Sequence, residues 1–376
     1  MSIPLYEQIY THIIQLITTQ QLHPGDRVLS EKELAEQFEV SRITSKKALE
    51  KLEVEGWIER FQGKGSFVAQ SLPEKAEVRL PMIVTKTKNL LIGVVLPDFS
   101  DAYGLKLLQS IETHGAQLGH SIAFRRTNGQ LETEIRAIRA FVDQGVDGLI
   151  VFPVHGEYYN PELLRLTLDK FPLVLVDRYL RGIPASSVYT DNRTAARQLT
   201  EYLIHRGHTH IGFISPPIEN TSTIEDRYQG YQAALAAHDL SAGLQDRLVA
   251  YSTLPGAFSR EKVREGAAVI QAFIAARPEL SAFVVSEYNL ACVLRQVLAH
   301  FGKADHYKIV CFDSPDNPLD PPLFSHIRQG EAVMGQRALD LLLRHIAGDT
   351  EPIHENVPFV FVEAIEESEH LMNMLT

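Results

Sequence analysis

Two groups of polar residues in this chain are spaced for chemistry. Near the start, Ser41 is followed by Arg42, Thr44, Ser45, Lys46 and Lys47. At helical pitch these side chains gather on the N-terminal half of one helix, where they can hydrogen-bond base edges and neutralise phosphates. Arg42 suits a bidentate contact with guanine; Thr44 and Lys46 suit phosphates. Lys64 stands between Gly63 and Gly65, small neighbours that allow close approach to a nucleic-acid backbone or groove. The second group is scattered: Asp98, Tyr103, Asp177, Arg178, Arg227, Glu287 and Asp313. Carboxylates and guanidinium groups bind hydroxyls by charge-assisted hydrogen bonds, and an aromatic ring covers the apolar face of a sugar. Together these residues predict a small polyhydroxylated ligand.

The elements that must position the first group are legible. Leu5, Ile9, Ile13, Leu16 and Ile17 recur at helical spacing, and Pro24-Gly25-Asp26 breaks the run. Ser30 followed by Glu33 has the capping-box form, so a helix starts there, with Leu34, Ala35 and Phe38 turned inward. Ser41 caps the next helix, whose buried stripe is Ala48, Leu49 and Leu52 and which ends at Gly56. Trp57–Phe61 and Ser66–Ala69 then read as a hairpin. Gly63-Lys64-Gly65 lacks the further glycine and following helix of a phosphate loop. Residues 1–70 are expected to form a winged helix-turn-helix, and residues 71–88, with Pro73, Pro81, Lys75, Arg79, Lys86 and Lys88, an extended linker bearing solvated charge.

The second group sits after strands. Leu90–Leu96 is a continuous apolar run, as in a strand buried on both faces, and a helix follows through Leu105, Leu108, Ile111 and Glu112. Further strands are expected at Ser121–Phe124, Gly148–Phe152, Leu173–Val176, Ile211–Ile214, Leu248–Tyr251, Ala282–Val285 and Ile309–Phe312, with helices between them, such as Glu132–Val142 and Thr194–Leu203. Ser222–Glu225 reads as another capping box, setting Arg227 near a helix start. Repeated β–α units imply an α/β fold with parallel sheets, and the length from residue 89 to 376 favours two lobes around a cleft. In such sheets ligands bind beyond the carboxyl ends of the strands, where this polar group lies.

The net charge of −11 excludes DNA binding by the whole surface. Even residues 1–70 hold eight Lys and Arg against ten Asp and Glu, so contact must come from a local basic face, with weak non-specific affinity. Cys292 and Cys311 are too few for a disulfide framework and read as buried small hydrophobes. His205, His208 and His210 surround Gly207 at a helix-to-strand junction, a position that explains them without a metal. No cofactor fingerprint, zinc signature or nucleophile elbow is present, so neither cofactor nor metal is expected. The chain shows no signal-peptide pattern and no apolar run long enough to span a membrane, which points to the cytoplasm.

The first 70 residues resemble the GntR-family DNA-binding domain. The matching segments are Pro24–Ala35, Val40-Ser-Arg-Ile-Thr44, Ala48-Leu49, Glu55-Gly-Trp-Ile58 and Gly63-Lys-Gly-Ser-Phe-Val68. The resemblance implies that Lys32, Ser41, Arg42, Thr44, Lys64 and Gly65 contact DNA. Leu29 replaces the family's proline, Ile43 a common threonine and Lys46-Lys47 a usual Arg-Glu pair, so the operator sequence does not carry over.

Residues 89–376 resemble the effector domain of the LacI/GalR family, with its periplasmic-binding-protein-like fold. The resemblance rests on Ile92–Asp98, Gly145–Ile150, Val176-Asp-Arg178, Val188–Asn192, Gly207–Ile214, Arg227–Tyr231 and Phe312-Asp313. It implies that Tyr103, Arg227, Ser286, Asp313 and Gln329 line an effector cleft, with Asp98, Arg178 and Glu287 adjacent. Gly104 stands where many relatives carry a second aromatic ring, Glu287 where Asp is usual, and the family's hinge helix has no counterpart. A GntR reader joined to a LacI-type sensor is the architecture of arabinose-repressor-like regulators. It implies a homodimeric repressor of double-stranded operator DNA controlled by a small sugar, a pentose or relative first. The alternatives are a sugar-binding protein for transport, which needs export, and a sugar-acting enzyme, for which Asp98 and Asp313 would be the carboxylate pair.

Overall fold

The computed structural model describes residues 5–18, 22–38, 40–61, 64–69, 89–154, 160–217, 221–240, 246–249, 260–317 and 321–364. The chain divides into two units, Met1–Lys88 and Asn89–Thr376. The expected linker lies outside the described residues, as do Gln62, Gly63 and Tyr251.

In the first unit α1 (Leu5–Thr18) buries Ile9, Ile13 and Ile17, as their spacing predicts, while Leu5 stays exposed. After the Pro24–Asp26 break comes a two-residue strand, β1 (Arg27–Val28), too short to leave a sequence pattern. Helices α2 (Glu31–Gln37) and α3 (Arg42–Val54) follow, then β2 (Ile58–Phe61) and β3 (Gly65–Val68). The three strands form an antiparallel sheet in the order β1-β3-β2. Ser30 and Glu33 make the reciprocal capping box at the start of α2. One small core unites the isoleucines of α1 with Leu34, Ala48, Leu49, Leu52, Trp57, Ile58 and Val68. Burial of such side chains, each contributing about 1.5–3 kcal/mol, holds the three helices and the wing together.

The second unit begins with β4 (Leu91–Leu96), α4 (Leu105–Gln117), β5 (Ser121–Arg126), α5 (Leu131–Asp143), β6 (Gly148–Val151), α6 (Pro161–Leu168), β7 (Leu173–Val176) and β8 (Ser186–Thr190). It continues through α7 (Asn192–His205), β9 (Ile211–Ser215), α8 (Ser222–Ala237), β10 (Arg247–Val249), α9 (Arg260–Ala275), β11 (Ala282–Val285), α10 (Tyr288–His300) and β12 (Lys308–Phe312). It closes with β13 (Ser325–Gln329), α11 (Glu331–Ile346), β14 (His354–Val357) and β15 (Phe359–Val362).

These elements build two lobes of matching topology. The first has a parallel six-stranded sheet, β14-β8-β7-β6-β4-β5; the second has β10-β9-β11-β12-β13-β15, parallel except for β15. Side chains alternate along each strand, so both faces of each sheet need cover. In the first lobe α4 and α11 cover one face and α5 and α6 the other. In the second, α7 and α8 cover one face and α9 and α10 the other. At Gly230 a Cβ would come within 2.1 Å of the Arg193 carbonyl oxygen, so its absence lets α8 lie close on α7.

The chain crosses between lobes three times: at Asp191 between β8 and α7, at Gly330 between β13 and α11, and at Pro358 between β14 and β15. Helix α11 and strand β14 therefore complete the first lobe after the second has been traversed.

Candidate effector cleft and nucleic-acid interface

Matching topology places matching residues at the carboxyl ends of the strands. Asp177 follows β7 and Asp313 follows β12, equivalent positions in the two sheets. Both are non-glycine residues at positive φ, 65° and 64°. Their amides bond to the neighbouring strand, Asp177 N to Val188 O at 3.0 Å and Asp313 N to Ile327 O at 2.9 Å. Such backbone costs on the order of 1–3 kcal/mol per residue and collects at ligand sites, because it aims a side chain off the end of a strand.

Between them lies a cleft with a cavity volume of about 90 Å³, walled by Asp98, Phe99, Tyr103, Phe152, Asp177 and Arg178 from the first lobe. The second lobe contributes Thr223, Ile224, Arg227, Glu287, Tyr288, Asn289, Asp313 and Gln329. Seven of the eight expected effector residues meet here: Asp98, Tyr103, Arg178, Arg227, Glu287, Asp313 and Gln329. Ser286 lies beneath the cleft instead, fully buried, with its carbonyl accepting from Arg227 at 2.7 Å. The second ring that relatives place at residue 104 has no room here. Gly104 has φ 91°, and a Cβ would meet Phe99 Cβ at 3.0 Å and the Asp98 carbonyl oxygen at 3.2 Å.

Each buried charge is held. The Arg227 guanidinium donates to Asn192 Oδ1 at 2.7 Å and lies 3.7 Å from the centre of the Phe312 ring. Arg178 donates to the Pro153 carbonyl at 2.6 Å and packs 4.8 Å from the Phe152 ring centre; burial lowers its pKa against the pull of Asp177 and Glu287. Tyr103 donates to Asp177 at 2.5 Å, and burial followed by the surrounding carboxylates raises its phenol pKa. Burial pushes the Asp313 carboxyl well up, opposed chiefly by Arg227, while Gln329 donates to both its oxygens at 3.1 and 3.0 Å. Several polar atoms around the cleft are left over. Asp98 Oδ2, Gln329 Oε1 and Ser286 Oγ are buried without a hydrogen-bond partner among the described residues. Native proteins leave few such groups unexplained, and here two of the three are acceptors on residues that line the cleft.

Sequence reasoning missed Glu331, the first residue of α11. Its carboxylate accepts from Gly104 N at 2.6 Å and Leu107 N at 3.3 Å, capping α4 from another part of the chain. No side chain of α4's own N-cap does so. The signal was one acidic residue after Gly330, which marks only its own helix start. Burial raises the Glu331 pKa to about 7. The folded state therefore holds this proton more tightly than the unfolded chain, and the contribution to stability falls as pH rises from about 4.5 to about 7. Glu331→Gln should remove this pH-dependent loss, roughly 3 kcal/mol in total across the range, measured by denaturant unfolding.

Asn192, Phe152, Tyr179 and Asp226 were also unforeseen as partners. Tyr179 of the first lobe donates to Asp226 of the second at 3.1 Å, Arg181 pairs with Glu225 at 3.0 Å, and Lys106 pairs with Asp316. These contacts bridge the lobes beside the cleft. The Ser222–Glu225 pattern does mark the start of α8, but not as a capping box: the N-cap is Thr221, and Ser222 Oγ accepts from Tyr179 N at 3.2 Å. Cys311 is buried and Cys292 half-buried; burial raises both thiol pKa values. His208 bonds Ser281 Oγ through Nδ1 at 2.9 Å.

In the first unit, Ser41 accepts from Thr44 N and fixes the start of α3, while its Oγ lies 2.9 Å from Thr44 Oγ1. Ser45, read as part of the polar face, is buried instead and donates to Glu31 O at 2.7 Å, pinning α3 across α2. Arg42 and Lys64 are exposed and make no ion pair among the described residues. Lys32 pairs with Glu36 at 3.8 Å and Lys46 with Glu50 at 3.6 Å, both at the surface. Lys47 is exposed, with its ammonium 4.1 Å from the Tyr6 ring centre of α1. Gly65 opens β3 at the turn end of the wing, paired with Phe61 of β2. Arg27 and Arg60 are consumed internally by Glu33 and by Glu31 with Glu53.

The family model for bacterial regulatory proteins of the gntR family matches residues 5–68. That for periplasmic binding proteins and the sugar binding domain of the LacI family matches residues 89–351. The chain belongs to this LacI-type family and carries a GntR-family reader. That pairing makes it a DNA-binding transcription regulator with a small-molecule effector domain. The arabinose metabolism transcriptional repressor of Geobacillus stearothermophilus is 28% identical over 356 residues, covering 92% of each chain. The ribose operon repressor of Halalkalibacterium halodurans is 25% identical, covering 82% of this chain and 86% of the relative. The solved transcription regulator CcpA of Lactococcus lactis has TM-score 0.63 at 20% identity, covering 74% of this chain and 98% of that one, a likeness of fold. No helix among the described residues is long and apolar enough to cross a membrane.

Proposed function

We propose that this regulator is a cytoplasmic, homodimeric repressor whose grip on operator DNA is set by a neutral sugar bound in the cleft, arabinose or a related pentose being the first candidate. It acts by binding and not by turnover. One observation carries the effector reading: the cleft offers acceptors in excess. Asp98, Asp177, Glu287 and Asp313 face Arg178 and Arg227, and the unpartnered Asp98 Oδ2 and Gln329 Oε1 add two more places for a hydroxyl to donate. A ligand rich in hydroxyls satisfies such a site, whereas an anionic sugar meets net repulsion. The names of the arabinose and ribose repressors support the sugar class.

DNA binding falls to Lys32, Ser41, Arg42, Thr44, Lys46, Lys64 and Gly65, with Lys47 contributing at the margin, in a reader over residues 1–70 joined by a linker at 71–88 to the sensor. Dimerisation is supported by β5 and β10, equivalent edge strands of the two sheets. Phe124 and Val249 on them are exposed, and a second copy would cover them. The sugar shifts DNA affinity only as far as it binds one lobe arrangement better than another, typically by about 1–3 kcal/mol. A thermal-shift screen of the purified chain tests this directly. Pentoses should raise the unfolding midpoint, about 2.7 kcal/mol of added stability at a hundredfold excess over Kd, and sugar acids should not. A midpoint raised only by sugar acids or sugar phosphates would overturn the neutral-ligand reading.

A further inference from the structure

Ile43 is the second residue of α3, and 80% of its surface is exposed. The buried stripe of this helix is Ser45, Ala48, Leu49 and Leu52, so residue 43 falls on the opposite side, in line with Glu50 and Val54. That outer face changes character along its length. Its first turn carries Arg42, without an ion pair among the described residues, and Lys46. Later turns carry Glu50 and Glu53, which phosphates would repel. Helix α3 can therefore enter a groove only by its N-terminal end, the end whose dipole attracts anions. Near that tip the Thr44 hydroxyl is engaged by Ser41, and Lys47 lies over Tyr6. Ile43 is left as an exposed apolar side chain between Arg42 and Lys46.

The major groove offers one apolar group on its base edges, the 5-methyl of thymine. Given that α3 is the recognition helix, we propose that Ile43 reads thymine by packing on this methyl, choosing sequence while the cations around it supply affinity.

The test starts from duplexes recovered by in vitro selection with the full chain. Each thymine is then replaced in turn by uracil, which keeps the pairing and removes only the methyl. Wild type should lose about fourfold in affinity at the thymine under Ile43. Ile43→Ala should bind the unmodified duplex about fourfold more weakly and be indifferent to that replacement. With so exposed a side chain, the variant should keep the wild-type unfolding midpoint. Uracil that leaves wild type unchanged everywhere, or weakens both proteins equally, overturns the inference, while the selected duplexes still uphold α3 as the reader. A selection that yields no preferred sequence overturns both.

Discussion

Arg227→Ala should abolish effector control while operator binding by the ligand-free protein persists. Arg227 is buried, donates to Asn192 and to the Ser286 carbonyl, and lies over the Phe312 ring. It is also the main charge opposing the rise in the Asp313 pKa. Removing it takes a donor from the cleft, strands the Asn192 oxygen and deprives Asp313 of its counter-charge. Truncating one member of a buried charged network costs about 2–5 kcal/mol, which is roughly 30-fold to several thousand-fold in effector affinity. Calorimetry with whichever sugar raises the wild-type unfolding midpoint measures the loss. Arg227→Lys should fall between, since an ammonium keeps the charge but not the planar pair of donors. Normal ligand affinity in Arg227→Ala would remove this residue, and the cleft with it, from the effector site.

The converse is expected of Arg42→Ala. Arg42 is exposed and without an ion pair among the described residues, so its loss should leave the fold and the sugar affinity unchanged. A bidentate contact with guanine is worth about 1–3 kcal/mol, hence a loss of operator affinity of roughly 5- to 150-fold. Comparing operator with unrelated duplex separates two roles. A base contact costs only the operator, whereas a phosphate contact weakens both and lowers the salt dependence by about one counterion. No loss on either duplex would contradict the placement of Arg42 on the reading face.

The sequence announces some of these parts and hides others, for physical reasons. The strands around Ile92, Ile150, Val174 and Val284 are apolar on both sides because each lies deep in a sheet covered on both faces. Strands β8 and β13 are equally central yet read as polar, Ser186-Ser187-Val188-Tyr189-Thr190 and Ser325-His326-Ile327-Arg328-Gln329. Three of their buried hydroxyls are satisfied from distant segments: Ser186 by His345 and the Ile353 amide, Ser187 by His354, Ser325 by Tyr202. Hydropathy records the side chain and not its partner, so these strands leave no periodic trace. The cleft divides the same way. Asp98 and Asp313 stand beyond strands that hydropathy finds, whereas Gln329 ends one that it does not and came only by resemblance. Glu331 escaped because a carboxylate one residue into a helix looks like an ordinary dipole partner, while its role is set by Gly104, brought near only by the fold.

The interleaved path of the chain has a consequence for biosynthesis. The core of the DNA-reading unit is closed by Val68, whereas the first sensor lobe still needs Met334, Leu342 and Val357 for its own core. On a translating ribosome the reader would thus be finished roughly 15–60 s before the lobe that governs it. Polypeptides broken off in that interval would carry an intact promoter grip and an incomplete, apolar half-sensor, leaving quality-control proteases to clear them before they occupy the gene.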